Sequence, residues 1–323
     1  MGPKLNQILS KFPRARILVV GDLILDEFIW GNVSRISPEA PVPVVQVRSE
    51  SFMPGGAANV ANNIAALGGK AYLSGVIGND KSAALLRQEL KRRGIDLGGV
   101  VVDGERPTIV KTRIIAHHQQ VVRVDRERPH PIADNIAGQI LAFVRKMIDG
   151  VDAVIVEDYG KGVVSFGLIS RLIPLARRHK KIITIDPKAD HFAYYKAVTS
   201  LTPNIHEASD ISGIKVRSDK DIDRIGKKIL RQLGCQSVLL TLGEEGMRLF
   251  LKQGKVVHIP TVAQEVFDVS GAGDTVIAVF TQALCCGASL EQAAYIANYA
   301  AGIVVGKVGV ASVTCQEIRE RMV

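Results

Sequence analysis

Short apolar runs alternate with longer amphipathic stretches along most of the chain. "RILVVGD", starting at Arg16, is apolar without a polar alternate, the pattern of a strand buried on both faces. "ANVANNIAALGG" follows with helical spacing and ends at Gly68-Gly69, a stop signal. "AYLSGVIG" predicts a strand and "KSAALLRQELKRRG" a helix closed by Gly94. "DAVIVEDYG", "KIITIDP" and "SVLLTLG" predict further buried strands, each after a helical segment. Continuous apolar strands separated by helices specify an α/β fold, a central mostly parallel sheet covered by helices on both faces.

Ligands of such sheets bind beyond the carboxyl ends of the strands. Those ends are polar here: Gly21-Asp22, Asp158-Tyr159, Asp186-Pro187-Lys188 and Leu242-Gly243-Glu244. Two regions break the alternation, about 28–52 and 108–125. Both are rich in Val, Ile and Thr and lack helix caps. They predict antiparallel strands of a small inserted sheet, with Pro41 and Pro43 suited to an edge. Such a sheet cannot bury both faces alone, so it is expected to cover the cleft, pair with a second subunit, or both. With no internal repeat, residues 1–323 are expected to form a single domain with this sheet as a lid.

Composition narrows the function class. The 323 residues are 47% hydrophobic, enough for a large core, and the formal charge of +9 favours anionic partners. Aromatics are only 5% and no dense Lys/Arg run occurs, so a nucleic-acid binder is disfavoured. Cys235, Cys285, Cys286 and Cys315 form no C-x-x-C pair, and His117, His118 and His130 have no second ligand cluster; no zinc site is expected. Reduced thiols and the absence of a signal-peptide pattern point to the cytoplasm. Val276–Leu290 is too short and mixed to span a bilayer.

The candidate chemistry lies in "DVSGAGDT", Asp268 to Thr275, directly before the apolar run "VIAVF". A glycine-rich turn opening a helix presents unpaired N–H groups and the positive end of the helix dipole, an anion site. Gly271, Ala272 and Gly273 are placed to receive charge on a transferring phosphoryl group. Asp274, at the same spot, repels phosphate but can take a proton from an attacking hydroxyl. The helix N-terminus is expected to keep its carboxyl acidic, which a late proton transfer tolerates. Taken alone, the segment equally suits a helix cap with a glycine turn. Other phosphate motifs fail: in "GVIGNDKS", from Gly75, Asp80 replaces the second P-loop glycine, leaving a strand-to-helix loop, and no dinucleotide turn follows the first strand.

"GGAANVANNIAALGG" and "DVSGAGDT", in this order and separation, resemble the two signatures of the ribokinase-like (PfkB-type) carbohydrate kinases. Within that family, "SRISPEAPVPVV", "AHHQQVVRVD", "EDYGKG", "DPKADHFAYYKAVTSLTPNIHE" and "TLGEEGM" most resemble the D-glycero-D-manno-heptose 7-phosphate kinases. The resemblance implies a ribokinase-like fold and ATP- and Mg²⁺-dependent phosphorylation of the anomeric hydroxyl, giving the 1,7-bisphosphate for ADP-heptose and lipopolysaccharide-core synthesis. Monovalent-cation dependence is left open. It implies Asp274 as catalytic base with Gly271–Gly273 as anion hole, and Asp22 and Asn59 as sugar-hydroxyl ligands beside Gly55 and Gly56. Asn204 and Glu207 match an N-x-x-E element, with Glu207 organising Mg²⁺ through water. Lys188, Thr241, Gly243 and Gly246 fall where the family holds ATP. Two departures, Pro54 and Glu157 in place of a small residue, are expected to leave the chemistry untouched. Many such kinases carry a following nucleotidyltransferase domain; with this chain ending at Val323, a stand-alone kinase is expected.

The substrate's far phosphate needs a cation. Lys111, Arg113 and Arg123 on the lid and Lys161 are the candidates, and alternation puts the first two on one face. A homodimer through the lid is expected, with no nucleic-acid or membrane partner. The competing readings are a kinase of another sugar, and a catalytically silent sugar- or nucleotide-binding regulator on the same fold. Each of these residues also has an ordinary alternative, a turn, a cap or a solvated charge.

Overall fold

The computed structural model describes residues 2–117, 119–263, 265–307 and 309–322. His118 and Val323, which enter the reading above, lie outside the described residues. Among the described residues, thirteen strands form two sheets: β1 (Arg16–Gly21), β2 (Leu23–Ile36), β3 (Pro43–Gly56), β4 (Lys70–Ile77), β5 (Asp96–Val102), β6 (Ile109–Ala116), β7 (Gln119–Arg126), β8 (Ala153–Glu157), β9 (Ile182–Asp186), β10 (Ser200–Leu201), β11 (Ser237–Thr241), β12 (Met247–Leu251) and β13 (Val256–Ile259). The helices are α1 (Gly2–Leu9), α2 (Ala57–Ala66), α3 (Lys81–Arg92), α4 (Asp134–Met147), α5 (Phe166–Arg178), α6 (Ile205–Ser212), α7 (Asp219–Leu233), α8 (Ala272–Cys285), α9 (Leu290–Val304) and α10 (Cys315–Arg321).

The large sheet runs β13-β12-β11-β10-β9-β8-β1-β4-β5, parallel from β11 to β5. Strand β1 shows why it is covered on both sides. Ile17 and Val19 pack with α2, α8 and α9, whereas Leu18 and Val20 pack into a second core with α4 and α5. Alternate residues of a strand face opposite ways, so an unbroken apolar run needs two cores. The antiparallel strands β12 and β13 extend the sheet past β11, beyond the strands expected from the apolar runs. No helix of the described residues is long and apolar enough to cross a membrane.

The second sheet has the order β3-β2-β6-β7. It differs from expectation in two respects. Its strands begin earlier, β2 leaving β1 with only Asp22 between them, and the β2–β6 pair is parallel, so the sheet is mixed. The parallel pair arises because β2 follows β1 and β6 follows β5, and these two parent strands run parallel, so both chains leave the same end of the large sheet. Strand β3 is an edge, and Pro43, its first residue, and Pro54 are tolerated there because no neighbour needs their missing N–H. The segment resembling a P-loop is the β4–α3 connection. Asp80 caps α3, accepting from Ala83 N–H at 2.9 Å, and ties down the start of β6 through Thr108 N–H at 2.9 Å.

Candidate active site

Helix α8 begins after Gly271, whose φ of +76° favours glycine. This turn brings Asp274 into the interior, 3% exposed. Its carboxylate is held at both oxygens: Asn59 Nδ2 donates to Oδ2 at 2.7 Å and the Tyr159 hydroxyl donates to Oδ1 at 2.8 Å. Burial pushes the Asp274 carboxyl up to about 6, outweighing both hydrogen bonds. The expectation that the helix N-terminus would keep it acidic is therefore overturned by desolvation, and a carboxylate of this basicity suits proton abstraction near neutral pH.

The turn that opens α8 is partly committed. Ala272 N–H donates to the Val269 carbonyl at 3.2 Å, so it is not a free anion donor in this conformation. The N–H groups of Gly271 and Gly273 find no acceptor among the described residues. A side chain at Gly271 would come within 2.8 Å of Asn59 Nδ2, the group that positions Asp274.

Asp22 has a different task from the one expected. Fully buried, it accepts backbone N–H bonds from Tyr159, Lys161 and Val163, each at 3.0 Å. These bonds fold the loop after β8 and thereby aim the Tyr159 hydroxyl at Asp274. Burial raises the Asp22 carboxyl to about 6. Asn59 likewise spends its amide on Asp274 and on Asn63. Gly55 and Gly56 make room inside the protein: a Cβ at Gly55 would strike the Asp26 carboxylate, and one at Gly56 the Asp22 carbonyl at 2.6 Å. Asp26, passed over in the sequence, is 5% exposed on β2, bonded to Arg113, and near enough to Asp274 for its charge to raise that carboxyl further. An acid inside the apolar run "LILDEF" was the available signal.

The basic candidates separate. Register places Lys111 opposite Asp125 and Arg113 opposite Arg123, so Lys111, Arg113 and Arg123 share one face. Arg113 pairs with Asp26 and lies over the Phe28 ring; Arg123 pairs with Asp125 at 2.8 Å; Lys161 pairs with Glu127 at 2.6 Å. Lys111 makes no ion pair among the described residues. Its Nζ lies 5.8 Å from the centre of the Tyr159 ring, and burial lowers its basicity. His117 bonds the Val33 backbone and His130 the Pro131 carbonyl.

Asp274, Gly271 and Gly273 line a cavity of about 300 Å³ together with Lys188, Asn204, Glu207 and Thr241. Asn204 and Glu207 form a reciprocal capping box on α6: Asn204 Oδ1 accepts from Glu207 N–H at 2.9 Å, and Glu207 Oε2 accepts from Asn204 N–H at 3.0 Å. The box fixes Glu207 at the cavity wall, and one carboxylate oxygen remains for a hydrated cation. Gly243 and Gly246 do not line this cavity. Their φ values of +62° and +87° form the β11–β12 turn, where Leu242 N–H bonds the Gly246 carbonyl at 2.8 Å. Glu157 corrects a further expectation. It lies on the cavity wall beside Asp186 and Asp274, one oxygen of each of the three within 4.8 Å of the others.

Residues 14–317 match the pfkB family carbohydrate kinase model. The chain is 44% identical over 316 residues, 97% of its length, to bifunctional protein HldE of Geobacter metallireducens, and 44% identical over 303 residues, 94% of its length, to that of Helicobacter pylori. It spans 64% and 65% of those curated relatives. Among solved structures, Arabidopsis thaliana ribokinase complexed with ribose and ATP superposes with a TM-score of 0.74 at 20% identity, covering 95% of this chain and 98% of that one. Escherichia coli phosphofructokinase-2 in complex with potassium gives 0.80 at 17% identity, with the same coverage. At these identities the superpositions establish a ribokinase-like fold. The family match spans nearly the whole chain and includes the cavity that Asp274 lines: this protein belongs to the pfkB family of carbohydrate kinases.

Proposed function

We propose that the chain transfers the γ-phosphoryl group of ATP to the anomeric hydroxyl of D-glycero-D-manno-heptose 7-phosphate, giving the 1,7-bisphosphate. The observation that carries the reading is the placement of Asp274. It sits at the wall of the cavity lined by Lys188 and Glu207, while Tyr159, its hydrogen-bond partner, lies under the unpaired Lys111. Phosphate chemistry on one side and a free cation on the other match a sugar that already carries a phosphate. The stretches shared with heptose 7-phosphate kinases, and the identity to proteins named HldE, favour heptose over other sugars.

In this mechanism Asp274 accepts the proton of the anomeric hydroxyl, whose oxygen attacks the γ-phosphorus as the bond to the β-phosphate oxygen breaks. The N–H groups of Gly271 and Gly273 receive charge on the migrating group. Asp26 accepts from sugar hydroxyls, and Asn59 and Tyr159 keep Asp274 oriented. Lys188 and Thr241 contact the nucleotide. Asn204 and Glu207 would hold, through water, an Mg²⁺ ion arriving with ATP, which would supply positive charge to the phosphates. Lys111, aided by Arg123, meets the 7-phosphate. The β3-β2-β6-β7 sheet acts as a lid that excludes water, and Val121, Val122 and Val124, exposed on β7, suit pairing with a second copy. A cytoplasmic setting in lipopolysaccharide-precursor synthesis follows from the substrate, and potassium dependence belongs to the same proposal. The test is ATP consumption across heptose 7-phosphate, ribose, fructose and fructose phosphates. Highest kcat/KM on the heptose phosphate supports the proposal; preference for an unphosphorylated sugar contradicts it.

A further inference from the structure

We infer that Glu157 and Asp186, facing Asp274, form a divalent-cation site that the protein offers before nucleotide binds, distinct from the capping-box carboxylate Glu207. Register builds it. Glu157 ends β8 and is paired in parallel with Asp186, which ends β9, so the two side chains stand side by side on one face of the sheet. Ala153 and Ile155, four and two residues before Glu157, pack into the core that holds α8, so Glu157 also points toward α8, where Asp274 lies in the first turn. Gly21 leaves the space on the other flank, since a Cβ there would lie 2.9 Å from the Glu157 Cβ.

The ligand signal is the electrostatic imbalance. Glu157 is fully buried and neither carboxylate oxygen has a hydrogen-bond donor. Asp274 has Asn59 and Tyr159, and Asp186 has Thr202 Oγ1 at 3.3 Å; Glu157 has no donor, only the Asp186 carboxyl beside it. A buried carboxylate without a partner is costly, and two more within 4.8 Å add repulsion. Hard oxygen donors at this separation suit Mg²⁺ or Mn²⁺, whose octahedral oxygens lie roughly 3–4 Å apart. The adjoining cavity of about 300 Å³ admits the waters that complete the shell. A cation there offsets the charge of Glu157 and Asp186 beside the catalytic carboxylate, and it does so whichever sugar is the acceptor.

The test is Mn²⁺ titration of the nucleotide-free full chain near neutral pH, followed by the loss of the free-ion EPR signal. The expected result is one bound Mn²⁺ per chain, displaced by Mg²⁺. Glu157→Gln and Asp186→Asn should each weaken it at least tenfold, and Glu207→Gln should leave it within about threefold, since losing a charge-assisted ligand is worth more than losing a distant charge. Thermal unfolding in metal-free buffer verifies that the variants fold; Glu157→Gln, which removes a buried charge at constant shape, should melt no lower than wild type. The inference is overturned if wild type binds Mn²⁺ more weakly than roughly 10⁻³ M, the weak end for carboxylate sites. It is also overturned if Glu207→Gln abolishes binding while Glu157→Gln does not, or if Glu157 and Asp186 share a proton and exclude the ion. The readout uses neither ATP nor sugar, so its failure leaves the kinase proposal standing, and the reverse also holds.

Discussion

Asn59 and Asp274 are 215 residues apart in sequence, yet Asn59 Nδ2 donates to Asp274 Oδ2 at 2.7 Å. The bond joins α2, which carries the first glycine-rich signature, to the first turn of α8, which carries the second. The two signatures are thus one device: the amide of the first fixes the carboxylate of the second.

Asp274→Asn should lower kcat at least about a hundredfold, the lower end for loss of a general base, because the amide cannot take the acceptor's proton. Nucleotide affinity, measured by calorimetry, should stay near wild type. Turnover within a few-fold of wild type would remove Asp274 from its role.

Tyr159→Phe deletes one of the two bonds that orient Asp274 while keeping the ring. A lost hydrogen bond to a charged group is worth about 1.5–3 kcal/mol, so kcat should fall roughly 10- to 100-fold with the KM for ATP little changed. A defect confined to KM would show that the hydroxyl binds ligand and does not position the base.

Lys111→Gln should raise the KM for the sugar phosphate by roughly 10- to 100-fold, the cost of a charge-assisted contact. It should have little effect on any unphosphorylated sugar the enzyme accepts. Equal losses on both would place the lysine in general lid packing.

Partial burial works to raise the Asp80 carboxyl, but the bonds it accepts from Thr108 and Ala83 together outweigh this and lower it below the usual range. A depressed folded-state value means that its stabilisation is present above the ordinary carboxylate range and is lost as pH falls through the lowered value. Asp80→Ala should therefore cost about 1 kcal/mol in urea unfolding at neutral pH, with the gap from wild type closing in acid. A gap that stays constant down to strongly acid pH would contradict this.

What was legible in the sequence followed local rules. The apolar run of β1 specified burial on both faces, and the glycines around Asp274 specified a helix-opening turn. What was hidden depended on register and loop packing. Asp22 stands at a strand end and reads as a ligand, but its carboxylate is consumed by three backbone amides of a loop more than a hundred residues away. Nothing in the sequence around Glu157 points to Asp186, which only the parallel pairing of β8 with β9 sets beside it. The lid cations look alike in sequence, and only their pairing leaves Lys111 unmatched.

Phosphorus NMR of the product formed from ATP and D-glycero-D-manno-heptose 7-phosphate tests the central claim most directly. The account predicts a new phosphate resonance on the anomeric carbon, with the 7-phosphate resonance retained, growing with ADP in equal amount and absent with Asp274→Asn. A phosphate on another hydroxyl, or ADP formed without any new sugar phosphate, would contradict it.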